Sequence, residues 1–218
     1  MRRATVAAAL PIAERPKVGS TQSDRLHLEW ILDATAAPAH AAGILLEEFG
    51  GFAAVFGVGS AQHLRVTGDL DVVRQLASFR RASLHLARGR IADRTLLNSW
   101  QLLIDYLRAD LAQRQIECVR VLFLNTRLYL IKDQLMWTGT TDQCSFHVRQ
   151  IITRALELEA DSMILVHNHP GGDPTPSRAD IDVTRAIIQA GKPLGIAVHD
   201  HIIVSPVAHS SMRAAGLV

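Results

Sequence analysis

His167 and His169 are one residue apart, and Asp180 follows eleven positions after the second histidine. The segment reads His167-Asn168-His169-Pro170-Gly171-Gly172-Asp173-Pro174-Thr175-Pro176-Ser177-Arg178-Ala179-Asp180. Zinc takes N, S or O ligands in tetrahedral geometry, and a catalytic site uses three protein ligands plus water. The apolar run Met163–Val166 predicts a buried strand over Ser162–Val166. Two histidines spaced by two at its end point to the same side, because strand side chains alternate. Asn168 between them must face away. Glycines let the following loop turn tightly and prolines stiffen its return. Ser177 sits at a helix N-cap with Asp180 three residues on, as in a capping box, which brings the carboxylate back toward the imidazoles. Taken singly, Asp180 could be only a capping residue and each histidine a satisfied structural one. Taken together around a stiff loop, they read as a His-His-carboxylate Zn2+ site able to activate water.

The elements that must position this site are those of a mixed α/β (α+β) fold. Cys118–Leu124 and Leu128–Trp137 alternate around β-branched residues, with Asn125-Thr126-Arg127 as a tight hairpin between them. His147–Glu159 reads as a helix with Ile151, Ile152, Ala155 and Leu158 on its apolar side, and the helix opened by Ser177 ends at Gly191. Strands around Leu194–Val198 and Ile202–Val204 follow. Ahead of these, Leu96, Leu97, Trp100, Leu103, Ile104, Leu107 and Leu111 recur at spacings of three and four, predicting one joining helix over 93–113. Residues 26–92 read as short helices. One over Ala39–Phe49 is stopped by Gly50-Gly51. Another, capped by Asp69, runs to about Arg81 with Leu70, Val73, Leu76 and Ala77 on one face. Residues 1–25, with Pro11, Pro16, Gly19 and a Ser/Thr/Gln cluster, read as a disordered arm.

Composition bounds the function classes. The chain has 218 residues, 48% apolar and 20% charged, with a formal net charge of +2, an ordinary globular balance. Residues 1–108 carry 13 basic against 10 acidic side chains, and residues 109–218 carry 10 against 11. Neither half is basic enough to announce nucleic acid as a partner. Cys118 and Cys144 are too few for a cysteine-based zinc site and fit a reducing compartment. The start resembles a signal peptide only faintly, since Pro11 breaks a short apolar run. With no apolar stretch of about 18 residues, the expectation is a cytoplasmic protein without a membrane partner.

His-x-His, seven residues, Ser, two residues, Asp is the signature of the JAMM metalloproteases, and residues 167–180 match it completely. The surrounding "HNHPGGDPTPSRAD", "VHDHIIVSP" and closing "SSMRAAGLV" resemble the bacterial RadC family over roughly residues 95–218. Gly171 departs from that pattern, standing where RadC proteins usually have Ser, in the loop and not among the ligands. The resemblance implies a C-terminal JAMM/MPN-like domain over 93–218, with a mixed sheet flanked by helices. It also implies that Glu117 is the general base for the zinc-bound water, and that Ser177 donates to the oxyanion of a tetrahedral intermediate. Both roles of Ser177 hold together only if its hydroxyl donates outward while its oxygen caps. Asp200 and His201, in "HDHIIV", are candidates for supporting a ligand imidazole from behind. His199 and His147 are read as ordinary surface or core histidines.

RadC proteins usually carry a helix-hairpin-helix region ahead of this domain, and residues 26–92 occupy its place in degenerate form. The turn Val66-Thr67-Gly68-Asp69 offers one glycine, and Asp69 sets a negative charge where a phosphate would come. The first functional expectation is therefore a zinc-dependent hydrolase acting on an amide or isopeptide bond of a peptide or protein substrate. A DNA-associated protein or nuclease is the second, and a zinc-stabilised scaffold without turnover the third.

Overall fold

The computed structural model describes residues 21–92, 100–139 and 147–218. Among the described residues five helices come first: α1 (Thr21–Ile31), α2 (Pro38–Phe49), α3 (Phe52–Gly57), α4 (Ser60–Thr67) and α5 (Leu70–Ala92). Pro38 opens α2 in its first turn, where a missing N–H costs nothing, and Gly50 closes it in the left-handed conformation (φ 83°). Gly68 (φ 65°) ends α4 in the same way. Asp69 then caps α5 as expected, its Oδ1 accepting from the amides of Asp71 at 2.7 Å and Val72 at 3.4 Å. Leu28, Leu32, Leu45, Val55, Val72 and Leu76 form the buried core of this helical region.

Three expectations change here. Residues 21–25 are not part of an arm but the first turn of α1, where Asp24 accepts from the Phe52 amide at 3.1 Å. Helix α5 does not stop near Arg81. Leu84, Ala87 and Ile91 carry its apolar stripe onward into the next core, and the arginines between them are good helix formers. Its buried face runs through Val72 and Leu76, leaving Leu70 exposed, because Leu70 is the first residue of the helix and lies at its outer edge.

Helix α6 (Trp100–Leu111) buries Leu103, Ile104, Leu107 and Leu111. These are four of the residues whose spacing predicts it; Leu96 and Leu97 lie outside the described residues. The sheet has the order β2-β1-β3-β4-β5, from β1 (Cys118–Leu124), β2 (Leu130–Thr138), β3 (Ser162–Asn168), β4 (Ala197–Val204) and β5 (His209–Ser211). β1 runs antiparallel to β2 and β3, while β3 and β4 are parallel, joined through α8 (Arg178–Gly191). One face of the sheet packs on α6, through Cys118, Leu122, Ile164, Val166, Ile202 and Val204. The other packs on α7 (Val148–Glu157) and α8, through Val121, Phe123, Met163 and Leu165. Central β3 is therefore buried at every position, which is why its sequence shows no polar alternation.

Asn125 builds the hairpin, its Oδ1 accepting from the amides of Arg127 and Tyr129, each at 3.0 Å. The two strands expected over Leu194–Val198 and Ile202–Val204 are one, β4, and Leu194 belongs to a 3-10 turn over Lys192–Leu194. The polar His199-Asp200-His201 reads as a break in sequence. In the fold Asp200 and His201 are buried and partnered, so the strand runs through them. Among the described residues no helix is long and apolar enough to cross a membrane.

Candidate metal centre and catalytic site

His167 occupies the penultimate position of β3, on the face shared with Met163 and Leu165. The His169 amide donates to the Val204 carbonyl at 2.8 Å. That bond carries the pairing with β4 one residue further and returns His169 to the same face. The loop then folds back, with Gly172 in the left-handed region (φ 95°). Asp173 Oδ1 holds the Thr175 amide at 2.9 Å and its hydroxyl at 2.6 Å, and Ser210 Oγ ties the Pro174 carbonyl at 2.5 Å. Ser177 caps α8, completing a reciprocal box with Asp180.

The result brings one ligand atom each from His167, His169 and Asp180 within 4.8 Å of one another. His167 Nε2 is 2.9 Å from His169 Nε2 and 3.3 Å from Asp180 Oδ1, and His169 Nε2 is 3.7 Å from Asp180 Oδ2. These separations bracket the roughly 3.3–3.5 Å edge of a tetrahedron with bonds near 2.1 Å, so the donor set fits a zinc ion.

The hydrogen bonds behind the imidazoles decide which nitrogens face forward. Thr184 Oγ1 lies 2.6 Å from the Asp180 carbonyl, to which it must donate, and 2.6 Å from His201 Nδ1. With the hydroxyl proton committed, His201 Nδ1–H is the donor to Thr184. Burial pushes the His201 imidazole well below its ordinary pKa, so it is neutral and its Nε2 is an acceptor. His167 Nδ1, 2.8 Å away, is then the donor to it, which leaves the His167 Nε2 lone pair turned toward Asp180. His169 Nδ1 donates to the Asp173 carbonyl at 2.7 Å, so its Nε2 also faces inward. Two such nitrogens 2.9 Å apart can share a proton or a metal ion, and their lone pairs cannot simply face each other.

The electrostatics follow from this packing. Burial pushes His167 down to about 4. The Asp180 hydrogen bond holds His169 above its ordinary value. Burial works to raise Asp180, but His169, His167 and Ser177 outweigh it and hold the carboxyl well below the usual range. Glu117 is partly buried, and burial raises its carboxyl, assisted by Asp180 and opposed by His169. The register explains its place: Val119 pairs with His167, so two residues further along the antiparallel ladder Glu117 comes opposite His169.

The remaining site residues divide. His201 meets the His167 imidazole directly. Asp200 does not; its carboxylate receives the Ser211 hydroxyl at 2.6 Å and the Arg213 amide at 3.0 Å, anchoring the C-terminal turn. Ser177 donates its hydroxyl inward to Asp180 Oδ2 at 2.5 Å, and its oxygen accepts from the Asp180 amide at 3.1 Å. In this geometry it caps and orients Asp180, and an oxyanion contact requires the hydroxyl to turn. Sequence reasoning missed Thr184, which the four-residue spacing from Asp180 on one helix face could have flagged. It also missed what Asn168 does. Fully buried, Asn168 accepts from the Cys118 amide at 2.8 Å and donates to the Arg114 and Ile116 carbonyls at 3.3 and 3.2 Å, fixing the backbone on both sides of Glu117. Cys144 lies outside the described residues.

Two comparisons with known proteins bear on this arrangement. The family model described as the RadC-like JAB domain matches residues 97–217. A protein of Rhodobacter capsulatus named UPF0758 protein is 43% identical over 175 residues, covering 80% of this chain and 82% of that relative.

Proposed function

The chain belongs to the RadC family, and from that premise we propose that it is a zinc-dependent hydrolase, a metallopeptidase or isopeptidase acting on a peptide or protein substrate. The observation that carries this reading is the convergence of His167, His169 and Asp180 on one point, with both Nε2 atoms turned inward by their own hydrogen bonds. An ion held there would polarise a scissile carbonyl and lower the pKa of a water. Glu117, partly buried and opposite His169, has the raised basicity suited to taking a proton from a water and returning it to a leaving amine. His201 and Thr184 hold His167 from behind, and Asp173 holds His169, so neither ring can rotate freely. Ser177 keeps Asp180 Oδ2 occupied and leaves Oδ1 toward His167.

The test is metal content together with hydrolysis. Purified chain should hold about one zinc, Glu117→Gln should hold as much, and His169→Ala should hold none. A panel of peptide and isopeptide substrates should be cleaved by the parent and not by Glu117→Gln. A parent chain that takes up no zinc when supplied would refute the reading.

A further inference from the structure

A cavity lies behind the head of β1, where the helical region meets the sheet. It encloses about 270 Å³ between the α3–α4 connection (Gly57, Val58, Gln62) and the segment leading into β1 (Arg114, Ile116), with Arg80 of α5 reaching in between. It shares no lining residue with the metal centre.

Its wall is electrostatically unbalanced. Arg80, Arg114 and Arg120 all converge on Asp110, which is almost fully buried: Arg80 Nη2 at 3.0 Å, Arg114 Nη2 at 2.9 Å, and Arg120 in direct contact. The other nearby carboxylate, Asp133, is engaged by Arg120 Nη1 at 2.5 Å and by the Tyr106 hydroxyl. Burial and the neighbouring carboxylates push the Tyr106 phenol well up, so it brings no further negative charge. Three guanidiniums thus face two carboxylates, and the excess positive charge sits on side chains about three-quarters or more buried, where water screens it less than at an open surface.

Both cations on the cavity wall have donors to spare. Among the described residues Arg80 Nη1 meets no protein acceptor, and Arg114 Nη1 meets only the Cys118 thiol, at 3.8 Å. Gln62 and Gln115, bonded to each other at 2.9 Å, add amide groups at the rim, while Val58 and Ile116 give it apolar surface. Planar guanidiniums with unused N–H groups are the side chains best suited to an oxyanion.

We propose that this cavity binds a small ligand through an oxyanion, a carboxylate or a phosphate group, held between Arg80 and Arg114. The ligand would neutralise the excess charge and bridge the helical region to the segment that carries Glu117.

Calorimetric titration of the zinc-supplied chain at fixed ionic strength tests this, with inorganic phosphate, N-acetylalanine and the neutral N-acetylalaninamide as probes. Saturable binding of one anion within about 10 mM, with none of the amide, is expected. Phosphate alone binding identifies a phosphate-bearing ligand, and N-acetylalanine alone identifies a peptide-type carboxylate. Gln62→Glu sets a negative charge at the rim and should weaken binding by about tenfold or more, as should Arg80→Gln. His169→Ala should leave it intact, which separates this cavity from an anion taken at the metal. No saturable binding of either anion, binding unmoved by Gln62→Glu, or binding lost in His169→Ala overturns the proposal. Gln62 is half-buried at the rim and its Oε1 accepts from the Gly59 amide, a bond a glutamate keeps, so that variant decides the matter even if Arg80→Gln fails to fold.

Discussion

His167 Nδ1 lies 2.8 Å from His201 Nε2, and this contact turns the other ring nitrogen of His167 toward His169 and Asp180, from a residue 34 positions away in the chain. The chain of bonds runs on through Thr184 to the backbone of Asp180, so two proposed ligands share one support.

Breaking that support should weaken the metal without removing a ligand. Thr184→Val keeps the side-chain shape but loses the hydroxyl, freeing His201 to change tautomer. Zinc affinity, measured by chelator competition, should fall by about 10- to 100-fold. An unchanged affinity would show that the relay does not set the His167 tautomer.

Metal binding should depend on pH in a defined direction. His169 is held above 6.5 by Asp180, so a metal entering the site must displace its proton. Affinity should already be falling as pH drops toward 6.5 and should continue to fall below it. In the metal-free chain His167, lowered to about 4, and His201, also lowered by burial, act in the opposite sense to His169. Their contribution to stability is full above 6.5 and is lost as pH falls through that value toward about 4, because only the unfolded chain takes up those protons. His169 contributes stability below 6.5 that is lost as pH rises through its raised value. With His167 and His201, joined by the lowered His63 and His199, against His169 and the raised Glu117, metal-free melting temperature should decline from pH 7 to pH 5. Equal zinc affinity at pH 5 and pH 7.5, or a flat melting profile, would contradict these assignments.

Asn168 should matter for turnover although it faces away from the metal. Asn168→Ala removes one acceptor and two donors at a fully buried position and should cost about 1–3 kcal/mol of stability. At saturating zinc it should also lower kcat, because the backbone on either side of Glu117 loses its anchor. Glu117→Gln should lower kcat by about 10²- to 10⁴-fold with metal content intact. If Asn168→Ala loses stability but keeps full kcat, its role is structural only.

Ser177→Ala separates capping from catalysis. Loss of the cap should cost about 1 kcal/mol, and loss of the bond to Asp180 Oδ2 should reduce zinc affinity. If the hydroxyl also turns to donate to an oxyanion, kcat at saturating zinc should fall by about 10²- to 10³-fold. A kcat restored fully by added zinc would confine Ser177 to orienting Asp180.

Gly57→Ala tests how tightly the helical region docks. A methyl group there would collide with the Gln113 backbone carbonyl just beyond α6. Thermal unfolding should show a loss of about 1–3 kcal/mol. An unaffected melting temperature would mean the two segments part easily.

How much of this was legible in advance follows the range of the interactions. The capping box of Ser177 and Asp180, the Asp69 cap, the Gly50 stop and the Asn125 turn are contacts within a few residues, and their spacing shows them directly. The His167–His169 pair needs only strand alternation. The full length of the helix over 70–92 does not show in its spacing because burial of Leu84, Ala87 and Ile91 depends on a sheet far along the chain. Strand β4 looks broken in sequence because Asp200 and His201 are polar, and the partners that satisfy them in the interior, Ser211 and Thr184, come from other elements.

By itself, then, the sequence determined the local devices: a strand ending in two like-facing histidines, a stiffened loop, and a carboxylate delivered by a helix cap. Tertiary structure decided what stands around them. Only the β1–β3 register sets Glu117 opposite His169, only the β3–β4 pairing brings His201 behind His167, and only the packing of α5 and β1 around α6 brings Arg80 and Arg120 to Asp110. Local spacing encodes neighbours a few residues apart, whereas these partners meet through strand register and buried faces that exist only once the whole sheet has formed.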